Sequence, residues 1–360
     1  MNRITKILIV ILLVIILLCT AFIGYKIWKN KTQDIASVET NVLNEEANVI
    51  EVEVKNVQTF KGNDRPIAVM IDNHKAALPQ AGLNNAYLVY EIIVEGGESR
   101  LMALFKGQDL AKIGPVRSAR HYFLDYALEN DAIYVHFGWS PQAQSDISDM
   151  GVNNINGIFE SESSFWRVKD KSAPHNVATS TEKILSIAER KDYKTTSSTK
   201  SVLKYVTKDV NLDNGQSAET ITIPYSDSNI VKYTYDSEKQ SYQRYSKGIE
   251  ETDWSTGEKA TTKNIIITFA RNATLNDGEN KDRQTLYNVG TLDGYYITNG
   301  KAIKIKCEKT SRSAQTVYKD LEGNEIDVND GNTFIQICPI NAKVTIEGTE
   351  EEIVDNTIEE

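Results

Sequence analysis

Cysteine is scarce in this chain: Cys19, Cys307 and Cys338 are the three among 360 residues. No two of them form a CxxC pair, which removes a thiolate zinc site and a thioredoxin-like motif. The phosphate-cradling loops are missing as well, with neither a Walker loop nor a G-x-G-x-x-G, so nucleotide binding has no support. No serine sits in a G-x-S-x-G elbow, and no HExxH places two histidines on one helix face. A surplus of positive charge is also lacking. The net charge of −10 argues against a nucleic-acid partner, because non-specific binding needs a basic field to displace counterions. What is present is a globular composition, 40% hydrophobic and 25% charged. The length suits two ordinary domains plus an anchor and a linker.

Residues 7–25 run without a charge and consist mostly of Ile, Leu and Val. At 1.5 Å per residue such a run nearly matches a bilayer core of about 30 Å. Arg3 and Lys6 precede it and Lys26, Lys29 and Lys31 follow, so the flanks barely set an orientation. A short N-terminal flank ahead of a large folded part favours the domains outside the cytoplasm. Cys19 adds an alternative: a lipidated Cys follows a Leu-x-small pattern, and here Leu18 is large where a small residue is wanted. An uncleaved signal anchor is the first reading, lipidation at Cys19 the second and a cleaved secretory signal the third. All three put the domains on the extracytoplasmic side, and the first two hold them at the cell membrane, single-pass or lipid-anchored.

Residues 31–63 read as an extended stalk. Residues 64–200 alternate strands and helices. Strands are predicted over 66–71, 87–94, 100–106 and 132–137, with Glu95-Gly96-Gly97 as a hairpin turn. Helices are predicted over 118–130, from Ser140-Pro141, and from Thr179 or Thr181 to Arg190. Residues 201–346 are β in texture, with Asp293-Gly294 and Asn299-Gly300 as turns, and 347–360 form a frayed acidic tail. The fold class is therefore α+β: an N-terminal mixed-sheet α/β domain followed by a mainly β domain, behind a membrane anchor. Cys307 and Cys338 both end predicted strands. A disulfide between them would stabilise by about 3 kcal/mol, and two buried free thiols are the alternative.

The chemistry is expected in the first block. His74 follows the end of the first strand, in Asp72-Asn73-His74. His136 ends another strand, and His175 lies in Pro174-His175-Asn176. If the first and fourth strands are parallel, these groups share the sheet edge where open α/β sheets bind ligands. In Gly114-Pro115-Val116-Arg117-Ser118-Ala119-Arg120, Ser118 reads as an N-cap with Arg117 and Arg120 beside it. Free amides and guanidiniums there suit phosphate, sulfate or carboxylate. Arg100 adds a cation, and Glu91 and Glu95 are nearby carboxylates. The plainer alternative has Arg117 and Arg120 pairing with Glu91, Glu95 or Asp125 to hold the helix on the sheet. No cofactor is expected. A divalent metal on Asp72, His74, His136 and His175 has the right ligand types without a recognised spacing.

RPIAVMIDNH, YEIIVEGGESRLMALF, the long GPVRSARHYFLDYALENDAIYVHFGWSP block and APHNVATS resemble the YerB-like lipoproteins of Gram-positive bacteria. NGKAIKIKCEKTSR and DGNTFIQICP resemble the second domain of that family, and the likeness spans about residues 62–342. It implies an envelope-anchored protein with two domains of unknown function and supplies no reaction; the large Leu18 before Cys19 departs from the lipidation pattern. The leading expectation is a protein that binds an anionic cell-wall component or a membrane partner through Arg117, Ser118, Arg120 and Arg100. A hydrolase or phosphoesterase is the alternative, with His136 or His74 as acid/base and Asp72 or Glu95 as its partner. A scaffold for a membrane complex is the third.

Overall fold

The computed structural model describes residues 2–3, 18, 20–29, 57–348 and 351–353. The chain divides into two compact units, Met1–Lys55 and Asn56–Glu360. In the first, residues 20–29 are helical, with Phe22, Ile27 and Trp28 exposed. Among the described residues no helix is long and apolar enough to cross a membrane. Cys19 and most of 7–25 lie outside the described residues, as do residues 31–56 of the expected stalk. The stalk's last residues instead belong to the second unit. The amides of Gln58 and Thr59 donate to the Asp330 carboxylate at 2.8 and 2.9 Å, and the Phe60 ring packs edge-on against Tyr87.

The second unit is built on one large mixed sheet. Its first strands are β1 (Ile67–Asp72), β2 (Leu88–Ile93), β3 (Ser99–Phe105), β4 (Ile133–His136) and β5 (Asn154–Asn156). β1, β2 and β3 are buried along their whole length, which is why they read as near-continuous apolar runs. Next come β6 (Thr220–Ser226), β7 (Asn229–Asp236), β8 (Ser241–Ser246), β9 (Asn264–Thr274), β10 (Gln284–Tyr287), β11 (Gly290–Thr298), β12 (Lys301–Lys309) and β13 (Val317–Lys319). The last are β14 (Thr333–Pro339), β15 (Thr345–Glu347) and β16 (Glu351–Ile353). The large sheet runs β13-β12-β11-β9-β14-β2-β3-β1-β4-β5. β4 pairs parallel with β1, and β14 pairs parallel with β2, Leu88 opposite Thr333.

That last pairing joins the two expected domains. Strands of both sequence blocks hydrogen-bond into one sheet, in which β9, β11, β12, β13 and β14 of the mainly β half extend the sheet of the first half. A smaller sheet, β8-β7-β6-β15-β16, packs through Ile221, Ile223, Val231 and Tyr233 on one face of the large sheet. The other face carries Tyr122, Phe123, Leu124 and Tyr126 of helix α1 (His121–Glu129) and Ala143 and Ile147 of α2 (Pro141–Asp149). Helix α3 (Thr181–Arg190) adds Ile184 and Ile187 to the first face. Ser140 caps α2 by accepting the Ala143 amide, with Pro141 in the first turn, as its sequence predicts. The acidic tail is not free throughout, since β16 pairs antiparallel with β15.

The expected disulfide does not form: Cys307 and Cys338 are free and buried. Cys307 on β12 faces the helical side of the sheet and Cys338 on β14 faces the small sheet. β11 and β9 lie between their strands, a separation of roughly 14 Å at ordinary strand spacing. A bridge tolerates a Cα separation of only about 4.4–6.8 Å. Burial pushes the Cys307 thiol up to about 12. The expected result is that dithiothreitol leaves the melting temperature unchanged. Alkylation after unfolding without reductant, mapped by mass spectrometry, modifies both thiols; a linked peptide pair would contradict the assignment.

Candidate functional site

An open cleft of about 350 Å³ lies at the C-terminal end of β1, lined by Asp72, His74, Glu95, Arg100, Arg117, Arg120 and His175 together with Glu98, Lys281 and Arg283. β1 ends at Asp72, whose cross-strand partner on β3 is Arg100, so both project to the same face. Glu95 stands in the β2–β3 turn, where Gly97 has φ 72° and an added Cβ would come within 2.8 Å of Ser226. Ser226 Oγ donates to Gly97 O at 2.8 Å, which pins the turn to the small sheet.

Arg117 and Arg120 arrive differently from their expected placement. Helix α1 begins at His121 with Arg120 at its N-cap and no side-chain cap, so Ser118 caps nothing. Its hydroxyl donates to Phe137 O at 3.0 Å, and its carbonyl accepts Arg100 Nη1 at 2.8 Å. The segment before the helix is extended and threads beside β1, with Arg117 N donating to Met70 O. Backbone threading beside β1 delivers Arg117, and Arg120 follows at the N-cap of α1.

Their charges are compensated only in part. Glu95 pairs with Arg120 Nε and, at 3.4 Å, with Arg100. Asp72 Oδ2 lies 3.1 Å from Arg117 Nε and 2.7 Å from His175 Nδ1. Three arginines and a histidine therefore share two carboxylates. The Arg117 pair lacks hydrogen-bond alignment, and Arg117 Nε is buried without a hydrogen-bond partner among the described residues. Burial acts to raise the Glu95 pKa, but the Arg120 hydrogen bond and the Arg100 and Arg120 charges outweigh it and hold the carboxyl below its ordinary value. Burial, then repulsion from Arg120, pushes Arg100 down to about 10. The arginines thus pair with Glu95 and Asp72; the expected alternatives Glu91 and Asp125 are engaged elsewhere.

Some expected residues do not reach the cleft. His136 is fully buried on the opposite side of its strand from Ile133 and Val135, with Nδ1 2.8 Å from Gly138 O and its ring beside Trp139. It is a structural histidine and drops out of both the acid/base and the metal sets. Among the described residues no three His, Cys, Asp or Glu side chains converge in an ion-ligating group. Asn176 holds its own loop, accepting from Arg167 at 2.7 Å and donating to Val168 O and Lys171 O. Glu91 lies beneath the floor, where it accepts from Asn73 and Ser99 at 3.0 and 2.6 Å and pairs with Arg244.

The second half supplies groups that no motif announced. Arg283 pairs with Asp277 and Glu279 and approaches Glu95 to 4.0 Å. Lys247 holds the floor from the small sheet, donating to Asn73 O at 2.7 Å and pairing with Glu98 at 3.1 Å. These residues lie 150 or more positions from Glu95 in sequence, so no spacing could have linked them to it.

Two family models match the chain, the N-terminal domain of Protein of unknown function (DUF3048) over residues 54–194 and its C-terminal domain over 221–335. The chain is 33% identical over 286 residues to the "Putative lipoprotein YerB" of Bacillus subtilis (strain 168), covering 76% of this chain and 81% of that protein. The crystal structure of YerB protein from Bacillus subtilis superposes with a TM-score of 0.70 at 31% identity, covering 82% of this chain and 96% of the other. With both halves matched in order and the fold shared, the chain belongs to the YerB-like family, built from the two DUF3048 domains.

Proposed function

We propose that this is a membrane-held, extracytoplasmic envelope protein whose arginine cleft binds an anionic group of a cell-wall component. One observation carries the reading: Arg100, Arg117 and Arg120 share two carboxylates with a histidine, all lining one open cleft. Two carboxylates cancel at most two of the three guanidinium charges, so an incoming oxyanion meets positive charge that the cleft leaves over. The guanidiniums are held side by side by Glu95 and Asp72, so little ordering is lost on binding. The apolar run over 7–25 and the lipoprotein named among its relatives support the placement at a membrane.

The test is equilibrium binding of purified phosphate-bearing wall polymer to the Asn56–Glu360 unit and to its Arg117→Ala/Arg120→Ala variant. The double variant is expected to bind at least tenfold more weakly, with the wild-type affinity falling as salt rises. Unchanged affinity in the double variant would remove the cleft as the binding site.

A further inference from the structure

The cleft holds two imidazoles in opposite tautomers. His175 Nδ1 lies 2.7 Å from Asp72 Oδ2. A carboxylate only accepts, so Nδ1 carries a proton and, in the neutral imidazole, Nε2 carries the lone pair. His74 Nδ1 accepts the Ala76 amide at 3.1 Å, which places its proton on Nε2. The rings stack with centroids 4.3 Å apart and 14° between planes, and both line the arginine cleft. One ring is a base and its neighbour a hydrogen-bond donor. Asp72 is fixed in place: its Oδ1 accepts the His74 amide at 3.1 Å, and its side chain is 4% exposed. A carboxylate-oriented imidazole beside clustered guanidiniums joins a proton acceptor to a stabiliser of developing negative charge.

We propose that this cleft hydrolyses a phosphate ester, with His175 as general base, Asp72 as its positioning residue, and Arg117 and Arg120 binding the phosphoryl oxygens. The inference rests on the anion-binding reading above. His175 Nε2 takes a proton from a water molecule as the water oxygen bonds to phosphorus. The ester P–O bond on the opposite side breaks, and its electron pair stays on the departing oxygen. That oxygen accepts a hydrogen bond from His74 Nε2 and takes its proton from solvent in the open cleft. His175 then returns its own proton to solvent, so one water and one ester give an alcohol and a phosphate with one ester bond fewer. Phosphate is favoured over a carboxylic ester by the number of donors. Phosphoryl transfer spreads charge over three equatorial oxygens, which several guanidiniums match, whereas acyl transfer develops one oxyanion.

The experiment uses the Asn56–Glu360 unit with bis(p-nitrophenyl) phosphate, p-nitrophenyl phosphate and p-nitrophenyl acetate as probes, and calorimetric titration of inorganic phosphate. The wild type is expected to cleave a phosphate probe. His175→Asn should lower kcat at least a hundredfold while binding inorganic phosphate within threefold of wild type, with an unchanged near-UV circular dichroism spectrum. Arg117→Ala should lose both hydrolysis and phosphate binding. A wild type that binds phosphate but cleaves neither phosphate probe overturns the hydrolysis and leaves the anion cleft standing. Cleavage of the acetate alone overturns the phosphate class, and a His175→Asn variant with full rate overturns the role of His175. Failure of the wild type to bind phosphate overturns the anion reading itself.

Discussion

Arg244→Leu is expected to lower the unfolding free energy by about 3–5 kcal/mol, the cost of removing one partner from a buried ion pair. The Arg244 side chain is 0% exposed between the two sheets, with Nε 2.8 Å from Glu251 Oε2 and Nη2 3.1 Å from Glu91 Oε2. Its Nη1 donates to the Tyr233 hydroxyl at 3.2 Å, and the guanidinium lies over the Phe334 ring at 5.4 Å. Burial opposes its charge, yet Glu251 and Glu91 outweigh that and hold it firmly protonated. Leucine fills much of the space but leaves two carboxylates in an apolar interior, where they must take up protons to persist. The loss should therefore be larger at pH 8 than at pH 5. Arg244→Leu/Glu91→Gln/Glu251→Gln should recover most of it, because removing all the charges abolishes the desolvation cost. Urea unfolding followed by circular dichroism reads both. A single-variant loss below about 1 kcal/mol would mean the cluster is hydrated and only weakly coupled to the fold. Glu91 also accepts from Asn73 and Ser99, so loosening it should weaken anion binding in the cleft above.

The second large effect is acid lability from His136. Burial pushes its pKa down to about 4, although its bonds to Gly138 and Asn154 work against the shift. In the unfolded chain a histidine titrates near 6.5. Between those values the unfolded state binds the extra proton, so stability rises with pH across the window. It is fully present above about pH 6.5, falls as pH drops toward 4, and the loss is on the order of 3 kcal/mol. His121, also pushed to about 4 by burial, acts in the same direction. Asp125, raised by burial to about 6 despite its pairing with Arg312, acts oppositely, since the folded state then holds a proton the unfolded chain has released. Both contributions are common to the wild type and His136→Gln. The difference between their stability–pH curves isolates His136, and it should shrink by roughly 3 kcal/mol from pH 7 to pH 4. Parallel curves would show that the imidazole is already solvated in the folded state.

The residues of the cleft came from the sequence in part, and by unequal routes. The sequence points to Arg117, Arg120, Arg100, Asp72, His74, His175 and Glu95, and these residues line one cleft. Yet the helix start expected at Ser118 lies at His121. Ser118 looks like a cap by residue type, but its hydroxyl is taken by Phe137 O. His136 failed for a reason internal to strands. Alternation separates Tyr134 and His136 from Ile133 and Val135, but it does not say which face a helix will cover.

By itself the sequence determined whatever depends on a few neighbouring residues. The continuous apolar runs became the buried strands β1, β2 and β3, and Ser140-Pro141 opened α2. The Gly96-Gly97 turn placed Glu95. These features follow from side-chain period, capping and φ preference, which act over one or two turns of chain. Only the tertiary structure decided which strands pair across long separations. The parallel match of β2 with β14 joins the two halves in one sheet and brings Lys247 and Arg283 to a cleft begun by β1. Such pairings are chosen by the total apolar surface that two sheets and three helices bury together, a sum that no local stretch of sequence contains.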